Sequence, residues 1–176
     1  MLNPSPHLWA LVAGLSVGAS GCTPALNWRE VRHDMAPARV LMPCKPDVAE
    51  RQIALREQVT VLYMQACAAQ GFDFSFAAMA LPPGWSSAQV LQAWQQASLA
   101  TWGVRAQGVQ AQTMSIMGAS SDASPIQWTV HASSRHVRSL WFAADGWVYQ
   151  TAVYAPIQSR DVQSVAETYF SGVSLP

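Results

Sequence analysis

The chain has 176 residues, 51% of them hydrophobic and 11% charged, with ten Lys plus Arg set against ten Asp plus Glu. That length and hydrophobicity suit one folded domain and exclude a largely disordered protein, which needs low hydropathy and high net charge. A formal charge of zero removes the basic excess that phosphate binding requires, so no nucleic-acid partner is expected.

Leu8 to Gly21 is an uncharged run that ends on Cys22. It is shorter than the roughly 20 apolar residues of a membrane-spanning helix and reads as an export signal. Ala19-Ser20-Gly21-Cys22 resembles the lipobox of bacterial lipoproteins, in which cleavage precedes a Cys that carries diacylglycerol. The alternative is an ordinary secretory signal with a coincidental Cys. The resemblance implies residues 1–21 as signal peptide, residues 22–26 as acylated Cys22 and tether, and residues 27–176 as one domain. Two or more acyl chains anchor stably where one binds marginally. Thr23, rather than Asp, follows the Cys, which in enterobacterial lipoproteins implies the outer membrane. A tether of Thr23 to Leu26 reaches ~13 Å when extended, which keeps the domain at the bilayer and facing the periplasm.

Beyond Cys22 the chain keeps Cys44 and Cys67. In an oxidising compartment these are expected to pair, the alternative being two buried free thiols. Neither belongs to a C-x-x-C, so redox chemistry is not expected.

Period-2 alternation dominates the rest. Trp28 to Arg32, Arg39 to Met42 and Ala49 to Leu55 read as short strands, the first two preceding the Pro43-Cys44-Lys45-Pro46 break. Val59 to Cys67 and Phe72 to Ala78 alternate and are joined by a four-residue connection, Ala68 to Gly71. After Pro82-Pro83-Gly84, an N-cap at Ser86 or Ser87 and apolar residues at Val90, Leu91, Trp94, Ala97 and Trp102 predict an amphipathic helix ending at Gly103. Val104 to Ile116 reads as a strand and Gly118 to Pro125 as a mobile loop. Ile126 to His131, Val137 to Ala144 and Trp147 to Tyr154 follow as strands, with an Asp145-Gly146 turn between the last two. A final helix is expected from about Ser159, with Val162, Val165, Ala166 and Tyr169 on one stripe.

Strands interrupted by one helix and closed by another imply an α+β fold, an antiparallel sheet with two packed helices. The WREVR strand, the MPCKP segment, the strand ending near Cys67 and the closing ETYFSGVSL resemble an uncharacterised family of proteobacterial envelope lipoproteins. The element order also resembles PsbP-like domains, which implies a sandwich that serves as a noncatalytic assembly module. Neither resemblance implies a reaction or supplies catalytic residues.

Gly14-Leu15-Ser16-Val17-Gly18 matches G-x-S-x-G but lies inside the signal, where no nucleophile elbow can form. Carboxylates are sparse after Asp73, which disfavours paired acid–base hydrolysis. No catalytic residue and no cofactor are predicted. His131 and His136 flank the turn Ala132 to Arg135 and make half a zinc site that no nearby Cys, Asp or Glu completes, so no metal is predicted. With Arg135 and Arg138 they form the densest cationic cluster, suited to lipid phosphate or an acidic partner, the alternative being solvated surface. Of the Trp residues, Trp85 follows Pro-Pro-Gly in a loop and is the candidate recognition aromatic, the alternative being a ring that caps the sheet. The leading expectation is a noncatalytic, membrane-tethered protein-interaction module with an envelope protein partner, with Trp85, His131, Arg135, His136 and Arg138 as contacts. The alternative is a small-ligand binder or enzyme that uses a groove between helix and sheet.

Overall fold

The structure, a computed structural model, describes residues 26–55 and 58–176. The expected signal segment, the expected lipidation site Cys22 and residues 23–25 of the expected tether lie outside the described residues. Nine strands and two helices follow in the order β1 (Arg29–Arg32), β2 (Arg39–Met42), β3 (Asp47–Leu55), β4 (Gln58–Ala69), β5 (Phe72–Ala80), α1 (Ser87–Trp102), β6 (Val109–Thr113), β7 (Ile126–His131), β8 (Arg135–Ala144), β9 (Trp147–Pro156) and α2 (Val162–Ser171). β1 and β2 form a hairpin, and the other seven strands form one antiparallel sheet in the order β3-β4-β5-β9-β8-β7-β6. This is the expected α+β architecture.

Strand alternation builds a core on each face of the sheet. Phe72, Phe74, Phe76 and Ala78 of β5 join Leu140 and Phe142 of β8 and Tyr149 and Val153 of β9 in one core, closed by β2 and by Ala166, Tyr169 and Phe170 of α2. The intervening residues Ala77, Met79, Val137, Trp141 and Val148 face the other way, beneath Val90, Leu91, Trp94 and Leu99 of α1. Both cores are apolar because the central strands are covered on both sides.

Local chemistry sets the ends of the elements. Ser86 caps α1 in a reciprocal capping box with Gln89, and Gly103 closes the helix at φ 66°. The connection of β4 to β5 is tighter than expected, a two-residue turn in which Gln70 (φ 51°) and Gly71 (φ 81°) are both left-handed. Asp145 (φ 50°) and Gly146 (φ 76°) make the same turn between β8 and β9. Cys44 and Cys67 are disulfide-bonded, with their Cα atoms 6.0 Å apart. The bond ties the segment leaving the β1–β2 hairpin to the main sheet.

Four further expectations are corrected. The stretch after α1 is not one strand, since Ala106–Gly108 forms a 3-10 turn and only Val109–Thr113 pairs with β7. The Gly118 to Pro125 loop is fastened rather than loose: Ser120 N–H donates to Ala143 O (2.7 Å), the Asp122 carboxylate accepts Ser87 N–H (3.2 Å), and Ala123 and Pro125 are buried. β8 starts at Arg135 rather than Val137. α2 starts at Val162 because Ser159 N–H first closes a turn on Pro156 O (2.9 Å).

The C-terminal end of α2 lies against β2. A methyl group on Gly172 would sit 2.5 Å from Leu41 Cγ and 2.6 Å from Leu41 Cβ, too close for the side chain alone to yield. Gly172→Ala is expected to cost about 1–3 kcal/mol through overpacking, read as a lower urea midpoint with an unchanged slope.

Candidate functional site

The β7–β8 register places His131 directly opposite His136 and Thr129 opposite Arg138. The two imidazoles meet edge-on with centroids 4.5 Å apart. His136 Nε2 lies 2.6 Å from Ile157 O. A carbonyl only accepts, so the proton resides on Nε2, and Nδ1 is the acceptor of the neutral ring. Among the described residues no group of three or more His, Cys, Asp and Glu comes together.

Alternation divides the expected cationic cluster. His136 and Arg138 share the α2 face of β8 with the core residues Leu140 and Phe142, whereas Arg135 shares the α1 face with Val137 and Trp141. There Arg135 Nη1 pairs with Asp73 Oδ2 at 2.5 Å, with both side chains nearly half exposed. Such a pair is worth about 0–1 kcal/mol. Arg135 and Arg138 therefore do not form one patch.

Trp85 belongs to neither arrangement. It is half-buried against the α1-side core, and its N–H reaches Pro82 O at 3.2 Å. Leu81 N–H bonds to Gly146 O, which puts this loop at the opposite end of β8 from the β7–β8 turn. The length of β8 separates them by roughly 30 Å at about 3.3 Å per residue. Trp85 and the hairpin are thus not brought together.

A polar pocket instead forms around Arg138. Gln110, Thr129 and Arg138 make one rung across β6, β7 and β8, with Gln112 and Gln127 on the next. Gln163 of α2 overhangs them, and the cavity has a volume of about 420 Å³. Burial lowers the Arg138 pKa from its ordinary value, an effect opposed by the charge of Glu167 on α2. Arg138 Nε is buried and meets no hydrogen-bond acceptor among the described residues. A guanidinium with an unused N–H, surrounded by amides and a hydroxyl, suits a carboxylate or another anionic oxygen. Of these residues only Arg138 stands out in the sequence; Gln110, Gln112, Gln127, Thr129 and Gln163 do not. The signal was the period-2 polar row in VQAQT and IQWTVH, which puts the polar residues of both strands on one face.

No protein-family model matches the chain, and no curated protein matches it. Among solved structures it is similar to the solution structure of cyanobacterial PsbP (CyanoP) from Synechocystis sp. PCC 6803, with 13% sequence identity over 91% of this chain and 99% of that chain and a TM-score of 0.49. The α+β assignment itself rests on the strand order and the two packed helices.

Proposed function

We propose that this is an exported, lipid-anchored envelope protein that acts as a noncatalytic binding module and docks a carboxylate-bearing segment of a membrane-proximal protein partner against Arg138. The reading is carried by the buried Arg138 Nε, a charged donor without an acceptor among the described residues, inside a pocket of amides. The lipobox-like sequence before Cys22 supports the anchor, and the Cys44–Cys67 bond suits an oxidising compartment. Leu26 and Trp28 pack on the α2-side core, so a tether from Cys22 enters the domain on the same side as the Arg138 pocket. This packing supports a docking face turned toward the bilayer. The resemblance to envelope lipoproteins fits this location.

Photocrosslinking in intact envelopes tests the proposal. A benzoylphenylalanine at Thr129 or Gln163 is expected to yield one discrete crosslinked species. The same residue at Val48, on the exposed edge strand β3 (61% exposed), should not yield it. Arg138→Gln is expected to reduce the crosslink about tenfold, the loss of one charge-assisted hydrogen bond, while leaving the melting curve in place. Cys22→Ser is expected to release the protein from the membrane fraction. Crosslinking indifferent to Arg138→Gln overturns the docking site, and an unmodified Cys22 in the intact mass of the mature chain overturns the anchor.

A further inference from the structure

Independently of the partner reading above, the opposite face of the sheet holds a second concavity, between α1 and the β3–β4 end of the sheet. Its volume is about 450 Å³, within the ~300–1,000 Å³ range of small-molecule sites. Leu62 and Met64 of β4 form one wall, Trp94 and Trp102 of α1 the other, and Gln150 and Tyr154 of β9 line it as well. The aromatic wall is braced by neighbouring rings. Trp94 stands edge-on to Trp141 at 5.4 Å, and Trp102 edge-on to Tyr154 at 6.3 Å.

Arg51, Ser98 and Thr101 also line the groove, Arg51 and Thr101 from exposed positions, and one buried polar group among its apolar residues is unaccounted for. Gln150 is only 7% exposed, and its Nε2 has no hydrogen-bond partner among the described residues. The Tyr154 ring, by contrast, stands against Trp102. Leaving a buried amide donor unpaired costs about 1–3 kcal/mol. Leu at this strand position would avoid that cost and add apolar contact. A buried donor at the side of an apolar groove is the pattern of a site in which a few polar groups orient a mostly apolar ligand.

We infer that the groove between α1 and the sheet binds a small apolar molecule bearing a single carbonyl-type acceptor, with Gln150 Nε2 donating to that acceptor and Trp94, Trp102, Leu62 and Met64 enclosing the apolar body. The Gln150 hydrogen bond then contributes to ligand specificity. A site built around a hydrogen bond rejects an analogue that lacks the partner group, because the buried amide is left unpaired again.

The test is a fluorescence titration of the whole protein with Prodan, a naphthalene dye carrying one propionyl carbonyl, beside dimethylaminonaphthalene, which lacks the carbonyl. Saturable one-to-one binding of Prodan with a blue-shifted emission is expected. Gln150→Leu should weaken Prodan binding about tenfold and leave dimethylaminonaphthalene within about twofold. Ala97→Trp, which fills the groove from an exposed helix position and leaves the core intact, should abolish binding of both dyes. Failure of the wild-type protein to bind Prodan saturably overturns the site. So does Prodan binding that survives Ala97→Trp, and so does Prodan binding that Gln150→Leu leaves unchanged.

Discussion

Loss of the Cys44–Cys67 bond is expected to lower the unfolding free energy by about 3 kcal/mol, from the chain entropy that a cross-link of this span removes from the unfolded state. The two cysteines are 23 positions apart in sequence, and the loop between them holds all of β3. The location sharpens the expectation. Cys44 lies just beyond β2, whose Val40 and Met42 are fully buried, and Cys67 lies on β4. The bond therefore holds the β1–β2 layer over the α2-side core as well as shortening the unfolded chain. Cys44→Ala with Cys67→Ala should shift the urea midpoint downward and raise hydrogen exchange in β1 and β2 before the central strands. A loss below about 1 kcal/mol, or exchange raised uniformly across the sheet, would show that the bond does not serve as this inter-layer tie.

Much of this architecture is legible in local sequence, for identifiable reasons. Ser86 and Gln89 carry a capping box in four residues, Gly103 supplies a left-handed stop, and Asp145-Gly146 encodes its own turn. These signals work because every interacting group lies within one turn of chain. The Gly118 to Pro125 segment misleads for the opposite reason. Its small polar residues read as a loose loop, yet its anchors are Ala143 O and Ser87 N–H, which no local pattern announces.

The candidate site shows the same division. Grouping Arg135 with Arg138 treats them as neighbours on a turn. Once β8 is extended to begin at Arg135, three residues of separation put their side chains on opposite faces, since side chains alternate along a strand. The parity of the two positions was therefore informative and the strand boundary was the missing datum. Gln110, Thr129 and Arg138 became one rung only through the register of β6 on β7 and β7 on β8, a long-range relation. The loop position of Trp85 suggests an exposed ring, but proximity to the α1-side core decides its environment.

The largest loss from a single substitution is expected for Trp141→Ala, about 3–5 kcal/mol. Trp141 is fully buried and stands between the rings of Trp94 (5.4 Å) and Trp128 (5.5 Å), so its removal opens a cavity beneath α1 that rigid neighbours on β7 and α1 cannot fill. Its indole N–H also donates to Ser139 Oγ at 3.0 Å, and Ser139 is itself fully buried. Truncation leaves that hydroxyl without its donor, which adds a desolvation cost to the cavity cost. The two contributions separate by mutation. Trp141→Phe keeps a ring in the space and loses the hydrogen bond, and adding Ser139→Ala to it removes the orphaned hydroxyl. The double variant is therefore expected to recover about 1 kcal/mol relative to Trp141→Phe alone. Thermal unfolding followed by far-ultraviolet circular dichroism measures all three. If Trp141→Ala costs no more than Trp141→Phe, the cavity account fails. If Ser139→Ala brings no recovery, the hydrogen bond contributes nothing and packing alone holds α1 on the sheet.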